Sequence, residues 1–225
     1  MKAVVLLSGG LDSTTCLAIA RTEGFETYAF SVNYNQRHAS ELLAATRVAE
    51  QLGAKDHRIV SVTLDILGGS ALTDSRLAVP TSVDPAEIPI TYVPARNLIF
   101  LSLAAAYAET LGAVDIFIGA NVVDYSNYPD CREPFLRAFE QVATLGTQLG
   151  TKGQAFRIHA PLLQWSKAEI IQRGLALGVN YAETVSCYQA TDTGLACGQC
   201  PSCDIRRKGF VSAGLTDPTR YLSFH

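Results

Sequence analysis

The chain has 225 residues, of which 48% are hydrophobic, and its formal net charge at pH 7 is −3. This length suits one domain, or one domain with an appendage, and the apolar content is sufficient for a buried core. A slightly acidic chain has no overall basic field, which excludes tight nucleic-acid binding through net charge alone. We therefore expect chemistry on small molecules, with no direct contact to nucleic acid.

The amino-terminal residues lead straight into an apolar run, without the charged segment and small-residue cleavage site of a secretory signal. No apolar run approaches the roughly 18 residues that a membrane-spanning helix needs. We expect a cytoplasmic protein that makes no membrane contact.

Short β-rich runs alternate with helical patterns along most of the chain. The predicted strands are residues 3–7, 27–32, 57–62, 114–118 and 156–158. The predicted helices are residues 13–22, 39–52, 97–111, 134–149 and 167–177. Several of these helical patterns end at a glycine, as helices often do. This alternation predicts an α/β fold with a parallel sheet and crossover helices.

Residues 67–94 interrupt the alternation, because they combine Gly68 and Gly69 with several prolines and show no clear period. A loop of this length inside a compact domain is usually functional or disordered. It leads directly to Arg96 and Asn97. We predict a mobile lid that shields a reactive intermediate from water.

The residues between the first strand and the first helix, 8–14, have the sequence SGGLDST. Open parallel sheets bind ligands where a strand is followed by a helix. Glycines allow close approach of the backbone, the helix N-terminus carries partial positive charge, and the hydroxyls add donors. The pattern predicts an anion site; an ordinary turn with Asp12 or Ser13 as the N-cap is the alternative. It matches neither G-x-x-x-x-G-K-[ST] nor G-x-G-x-x-G.

This run resembles the signature of the ATP pyrophosphatase-loop family, whose members cleave ATP between the α- and β-phosphates. The resemblance implies that the loop holds pyrophosphate and that Asp12 helps to hold Mg²⁺. The implied nucleotide-binding residues are Ser8, Gly9, Gly10, Leu11, Asp12, Ser13, Thr14 and, later in the chain, Asn97.

A second run, PLLQWSKAEI at residues 161–170, looks like the second phosphate element of the same family, with Lys167 reaching the phosphates. The alternative is local. Ser166 and Glu169 fit an S-x-x-E capping box, in which case Lys167 is a solvated surface residue.

Four cysteines lie close together near the end of the chain: Cys187, Cys197, Cys200 and Cys203. Two overlapping C-x-x-C steps place three thiolates around one point, and the fourth completes a tetrahedron typical of structural Zn²⁺. An iron–sulfur cluster is the chief alternative, and unligated buried thiols are the other. We predict a zinc-binding appendage at residues 185–225 beside a main domain at residues 1–184.

Further runs, among them YNQRHASEL, TYVPARN, GANVVDYSNYPDCREPF and the terminal DPTRY, extend the resemblance to the 7-cyano-7-deazaguanine (preQ0) synthase family over essentially the full length. The resemblance implies a Rossmann-like sandwich of the adenine nucleotide alpha hydrolase type. It also implies an ATP-dependent carbon–nitrogen ligase of queuosine biosynthesis, which converts 7-carboxy-7-deazaguanine and ammonia to the nitrile and releases AMP and pyrophosphate. Asn35 and Asn127 replace expected glycines, which indicates asparagine in a left-handed backbone.

Polar residues at the expected ligand edge complete the predicted site. The candidate catalytic residues are Asp12, Lys167, Arg96 and His38, and the candidate substrate-binding residues are Gln36, Asp124 and Asp130. Roles as ordinary helix-start or turn residues are the alternative for Arg96, His38 and Asp130.

Two other functions stay open on the sequence. One is another adenylating enzyme of the same phosphate chemistry, such as an amidotransferase or a tRNA thiolase. The other is a zinc-containing module that binds nucleotide without synthesis. The oligomeric state is not set by the sequence, which is compatible with a homodimer.

Overall fold

A computed structural model describes residues 1–37, 40–84, 87–123 and 128–222. Its centre is one parallel sheet with the strand order β3-β2-β1-β4-β5. The strands are β1 (Lys2–Leu6), β2 (Glu26–Asn33), β3 (Asp56–Ser61), β4 (Asp115–Phe117) and β5 (Arg157–His159). The α/β prediction is confirmed, and each predicted strand lies within about one residue of an observed one.

The helices are α1 (Leu11–Thr22), α2 (Ser40–Gln51), α3 (Arg96–Leu111), α4 (Glu133–Gly146), α5 (Gln148–Thr151), α6 (Lys167–Ala176) and α7 (Pro201–Ser212). The single helix predicted at 134–149 is wrong, because Thr147 adopts an extended backbone between α4 and α5. The Thr147 hydroxyl then accepts the Gly150 N–H as the N-cap of α5. Among the described helices, none combines the length and apolar character needed to cross a membrane.

Helix α7 was missed, because its apolar positions show no clear helical period. Its start is nevertheless marked: Pro201 is the first helical residue, where a missing N–H costs nothing. Asp204 and Lys208 add an i,i+4 ion pair of 2.7 Å on its exposed side.

Both faces of the sheet are covered by helices, as parallel sheets require. Successive residues of β1 point to opposite faces, so that Val4 joins one core cluster and Val5 the other. The first cluster includes residues of α3 and α4. The second includes residues of α1, α2 and α6, together with Phe210 of α7. The result is a three-layer sandwich to which the cysteine-rich end contributes a core residue.

The predicted boundary after residue 184 is crossed by direct contacts. The Val185 N–H donates to the Gly9 carbonyl at 2.9 Å. A third apolar cluster contains the four cysteines and also Ala44 of α2. The two-part division of the chain stays a prediction, with an interface that reaches the loop after β1.

The predicted lid is anchored at both ends. Ala71 is fully buried and donates its N–H to the Ile90 carbonyl at 2.8 Å, while Leu72 and Val93 belong to the core. Gly68 and Gly69 both have positive φ, at 68° and 83°. Any lid movement is therefore confined to the stretch between these two anchors.

Candidate active site and metal centre

The candidate active site is a cavity of about 260 Å³ at the carboxyl end of the sheet. It lies where the chain order of the strands reverses, between β1 and β4, which is the usual ligand position in open α/β sheets. The predicted residues that line it are Ser8, Gly10, Leu11, Asp12, Ser13, Gln36, Arg96 and Asn97. The fold thus brings together side chains from loops that are far apart in sequence.

The loop after β1 is held by its own hydroxyls. Ser13 Oγ accepts the Ser8 N–H at 3.1 Å and donates to the Gly10 carbonyl at 3.2 Å. Thr14, which is 1% exposed and does not line the cavity, donates to the same carbonyl at 2.7 Å. These hydroxyls shape the loop, and their contact with phosphate stays a prediction.

Gly9 is required for packing. Its φ is +82°, and a Cβ built on it would lie 2.3 Å from the Glu41 carbonyl oxygen of α2. No side chain fits between the loop and α2 at that distance. Gly9 therefore lets the first turn of α2 lie directly against the loop.

Asp12 and Lys167 form the central ion pair of the site. Lys167 Nζ donates to both carboxylate oxygens of Asp12, at 2.7 and 2.8 Å. The pair joins α1 to α6 across 155 residues of sequence. It places a cation and a carboxylate beside the loop, the two charges that binding of phosphate and Mg²⁺ would use.

Lys167 is not a solvated surface residue, because its side chain is 8% exposed. The predicted capping box is also present: Ser166 and Glu169 exchange side-chain-to-backbone hydrogen bonds at the start of α6. A Cβ on Gly209 of α7 would lie 2.4 Å from Lys167 Cγ. The cap fixes where α6 starts, and α7 holds the lysine stem against the core.

Asn97 and Asp130 are bound to each other. Asp130 Oδ2 accepts the Asn97 N–H at 2.8 Å, and Asn97 Nδ2 donates to the Asp130 carbonyl at 3.1 Å. Both residues are buried, and Asp130 does not line the cavity. Arg96, one residue earlier, lies over the Tyr34 ring at 6.0 Å and does line it. The Asn97–Asp130 contact fixes the start of α3 and so positions Arg96; ligand contacts of both residues stay predictions.

The segment after β2 is described in part. Gln36 lines the cavity, and its Oε1 accepts the Tyr34 N–H at 2.9 Å. Asn35 has a φ of 58°, so the predicted left-handed asparagine is confirmed there. His38, Asp124 and Asn127 lie outside the described residues.

Glu41, in the first turn of α2, lines the cavity and was not identified from the sequence. Desolvation raises the pKa of its carboxyl from 4.5 to about 7, nearby Arg96 opposes the shift, and Cys200 adds to it. Its position in the run YNQRHASEL was the available signal. An acidic residue in the first helical turn is ordinarily explained by the helix dipole.

Glu41→Gln should stabilise the metal-bound protein at pH 8 and leave its stability unchanged near pH 4. A raised folded-state pKa means that the wild type loses stability as the pH rises from about 4.5 to about 7. Glutamine cannot ionise, so the gain should be on the order of 1–3 kcal/mol above pH 7. Chemical unfolding across this pH range measures it. The exposed Glu50 of the same helix is the control position, and an equal gain in stability from Glu50→Gln would contradict the explanation.

The four predicted cysteines converge. Their sulfur atoms are buried and lie within 4.8 Å of one another. Cys200 Sγ lies 3.9 Å from Cys187 Sγ and 3.5 Å from Cys203 Sγ. Sulfurs on a tetrahedron with metal–sulfur bonds of about 2.3 Å are about 3.8 Å apart, so this group fits a single ion.

The cysteine segment is joined to the loop after β1 by Ser186. The Ser186 hydroxyl accepts the Leu11 N–H at 3.1 Å, at the start of α1. Arg206, which is 3% exposed, donates to Thr184 Oγ1 at 2.8 Å and to the Tyr181 carbonyl at 2.9 Å, and it pairs with Asp217 at 3.1 Å. Arg206 therefore lies in the interior, because α7 packs into the second core cluster through Phe210.

Comparison with known proteins agrees with this geometry. The sequence profile of a family described as "Queuosine biosynthesis protein QueC" matches residues 2–214. The chain belongs to the QueC family. A 7-cyano-7-deazaguanine synthase from Azoarcus sp. (strain BH72) is 62% identical over 98% of this chain and 96% of its own length. One from Methylococcus capsulatus (strain Bath) is also 62% identical, over 98% of this chain and 99% of its own length.

Solved structures support the fold of this QueC-family chain. NMN synthetase from Francisella tularensis is 18% identical, covers 95% of this chain and 77% of its own, and superposes with a TM-score of 0.51. A predicted tRNA methyltransferase subunit from Methanocaldococcus jannaschii is 15% identical, covers 78% of this chain and 74% of its own, and also gives 0.51. At these identities the likeness concerns the fold alone, and it agrees with the predicted sandwich.

Proposed function

We propose that this protein is a 7-cyano-7-deazaguanine synthase, which converts 7-carboxy-7-deazaguanine and ammonia to the nitrile at the expense of ATP. The observation that carries the proposal is the match of essentially the whole chain, at about 60% identity, to relatives that bear that name. The cavity supports it, because a pyrophosphatase-type loop and an arginine line the same space.

The chemistry consists of one activation used twice. A carboxylate oxygen of the acid attacks the α-phosphorus of ATP, a new O–P bond forms, and pyrophosphate leaves. Ammonia then displaces AMP to give the amide. The amide oxygen then attacks the α-phosphorus of a second ATP, which releases a second pyrophosphate, and loss of AMP together with the two N–H protons gives the nitrile.

The residues of the chain supply binding and charge for these steps. The loop at Ser8–Ser13 and Lys167 would hold the phosphates, and stabilisation of a leaving pyrophosphate needs such fixed dipoles and cations. Arg96 would pair with the carboxylate of the acid, while Gln36 would contact its ring. Asp12 would hold Mg²⁺, which neutralises phosphate charge when bound.

We further propose that the four cysteines hold Zn²⁺. The sulfurs lie within 4.8 Å of one another, which suits four ligands of one ion, whereas the thiolates of an iron–sulfur cluster surround a body of several atoms and lie further apart. Four protein ligands leave no open position, so the ion would be structural. We also propose that the protein is located in the cytoplasm, where cysteine ligands stay reduced. Its proposed partners are small molecules only.

The test is a defined reaction with purified protein, ATP, Mg²⁺, ammonium and 7-carboxy-7-deazaguanine, followed by mass spectrometry. The nitrile, AMP and pyrophosphate should appear together, and the amide should appear transiently. Omission of ammonium should prevent formation of both the amide and the nitrile. Release of ADP and phosphate, or of AMP without any new product, would overturn the proposal.

A further inference from the structure

The Ser186 hydroxyl has an unusual hydrogen-bond balance. Its oxygen accepts two hydrogen bonds, from the Leu11 N–H at 3.1 Å and from Arg206 Nη1 at 3.4 Å. A serine hydroxyl has two acceptor positions and one donor hydrogen. With both acceptor positions in use, the O–H group can act only as a donor. Within the described part of the chain, no acceptor for it is found.

The unpaired donor lies at the cavity. Ser186 lines it together with Ser8, Gly10 and Asp12, and its Oγ lies 3.6 Å from the position of a Cβ on Gly10. It therefore adjoins the loop segment to which pyrophosphate is assigned. Ser186 is partly exposed at the cavity, so its O–H group is accessible to a ligand, and a charged acceptor at this place would form a strong hydrogen bond with it.

The hydroxyls of the loop itself are engaged internally. Ser13 and Thr14 both donate to the Gly10 carbonyl, and Ser8 Oγ lies 3.1 Å from Ser13 Oγ. Since the Ser13 hydrogen is used on Gly10, the hydrogen between the two serines comes from Ser8. The three loop hydroxyls thus have no donor to spare in this arrangement, in contrast to Ser186.

Arg206 strengthens the Ser186 donor. Its guanidinium is held by hydrogen bonds to Asp217, to Thr184 and to the Tyr181 carbonyl. It also donates a hydrogen bond to the Ser186 hydroxyl oxygen. A hydroxyl that accepts a charged donor becomes a better donor itself, because hydrogen bonds in a chain polarise one another. The arrangement suits an anionic acceptor.

We propose that Ser186 is a phosphate-binding residue of the ATP site, whose hydroxyl donates to an oxygen of the pyrophosphate part of ATP while its oxygen holds the first N–H of α1. The residue comes from the cysteine segment rather than from the loop of residues 8–14. The inference rests on the proposed use of ATP, and it assigns to the segment a direct contact with the phosphate chain.

The test compares Ser186→Ala, Ser186→Thr and wild type by calorimetric titration with three probes: Mg²⁺-ATP, inorganic pyrophosphate and adenosine. Loss of a hydrogen bond to a charged group should weaken ATP and pyrophosphate binding by about 10- to 100-fold in Ser186→Ala. Adenosine binding should be unchanged, because adenosine carries no phosphate. Ser186→Thr keeps the hydroxyl and should restore pyrophosphate binding.

Thr193→Val is the matched control. It removes an exposed hydroxyl of the same segment that contacts Thr191, outside the cavity, and should leave pyrophosphate binding unchanged. Pyrophosphate affinity within twofold of wild type in Ser186→Ala would overturn the proposal, as would an equal loss for adenosine or an equal loss in Thr193→Val. Failure of wild type to bind ATP or pyrophosphate would instead refute the proposed function.

Discussion

Replacing Asp12 by Asn should reduce formation of the nitrile by about 100- to 1,000-fold, the usual effect of losing a group that stabilises transition-state charge. Asn keeps the shape of Asp12 but removes the negative charge that is proposed to hold Mg²⁺. It also removes the charge that holds Lys167 Nζ at 2.7 Å. Both effects act on the leaving pyrophosphate. Single-turnover release of pyrophosphate measures the step directly, before the later chemistry contributes.

The same substitution should lower the free energy of unfolding by about 1–3 kcal/mol, because it removes the Asp12 carboxylate from the ion pair with the largely buried Lys167 ammonium. Asp204→Asn is the matched control. Asp204 pairs with Lys208 at the same distance, 2.7 Å, but on an exposed part of α7, where an ion pair contributes little. Equal losses of activity in the two variants, or more than a tenth of the wild-type rate of pyrophosphate release in Asp12→Asn, would contradict the assigned role.

Loss of one zinc ligand should remove ATP binding as well as the metal. Cys187→Ser should release the ion, and structural zinc binding is itself folding free energy. Two residues just before Cys187 hold the loop after β1: the Val185 N–H donates to the Gly9 carbonyl, and the Ser186 hydroxyl accepts the Leu11 N–H. Without the ion, these two residues are no longer held in place. We expect at least a tenfold loss of Mg²⁺-ATP affinity, because these two hydrogen bonds fix Gly9 and Leu11 of the loop that is proposed to hold the phosphates.

Metal analysis and ATP titration of the same preparations test this coupling. Wild type should carry about one zinc per chain, and chelation followed by added zinc should remove and restore ATP binding together. Cys16→Ala is the control, since Cys16 is buried in the main core and should keep both the metal and ATP. Unchanged ATP affinity in zinc-free protein would contradict the coupling, and iron with sulfide in wild type would refute the zinc assignment.

The sheet could be predicted because its strands are signalled locally. The apolar residues of β1 are followed at once by glycine and hydroxyl residues, and that change marks the end of a strand without any knowledge of the neighbours. The group of four cysteines could also be predicted from local sequence, since three of them lie within seven residues. The capping box at Ser166 and the left-handed Asn35 were likewise set by short-range chemistry.

Tertiary contacts decided what the site residues bind in the protein. The sequence left two interpretations of Lys167, a solvated surface residue or a phosphate ligand. The packing of α7 on α6 buries it against Asp12, which is 155 residues away. Asn97 and Asp130 were predicted to contact ligands, yet each satisfies the other at the start of α3. Glu41 lies in the run YNQRHASEL, but neither it nor Ser186 could be identified as a site residue locally, because both face a cavity that several distant loops form.

By itself, the sequence determined the parallel α/β sheet, the pyrophosphatase-type loop, the cysteine set and the family, because repeated short patterns specify each of them. The tertiary structure alone decided that the cysteine segment is part of the candidate site. Val185 and Ser186 reach the loop after β1, and Arg206 reaches Ser186, only once α7 packs into the second core cluster. A hydrogen bond between residues 175 positions apart depends on the whole fold, since no local preference of the chain specifies it.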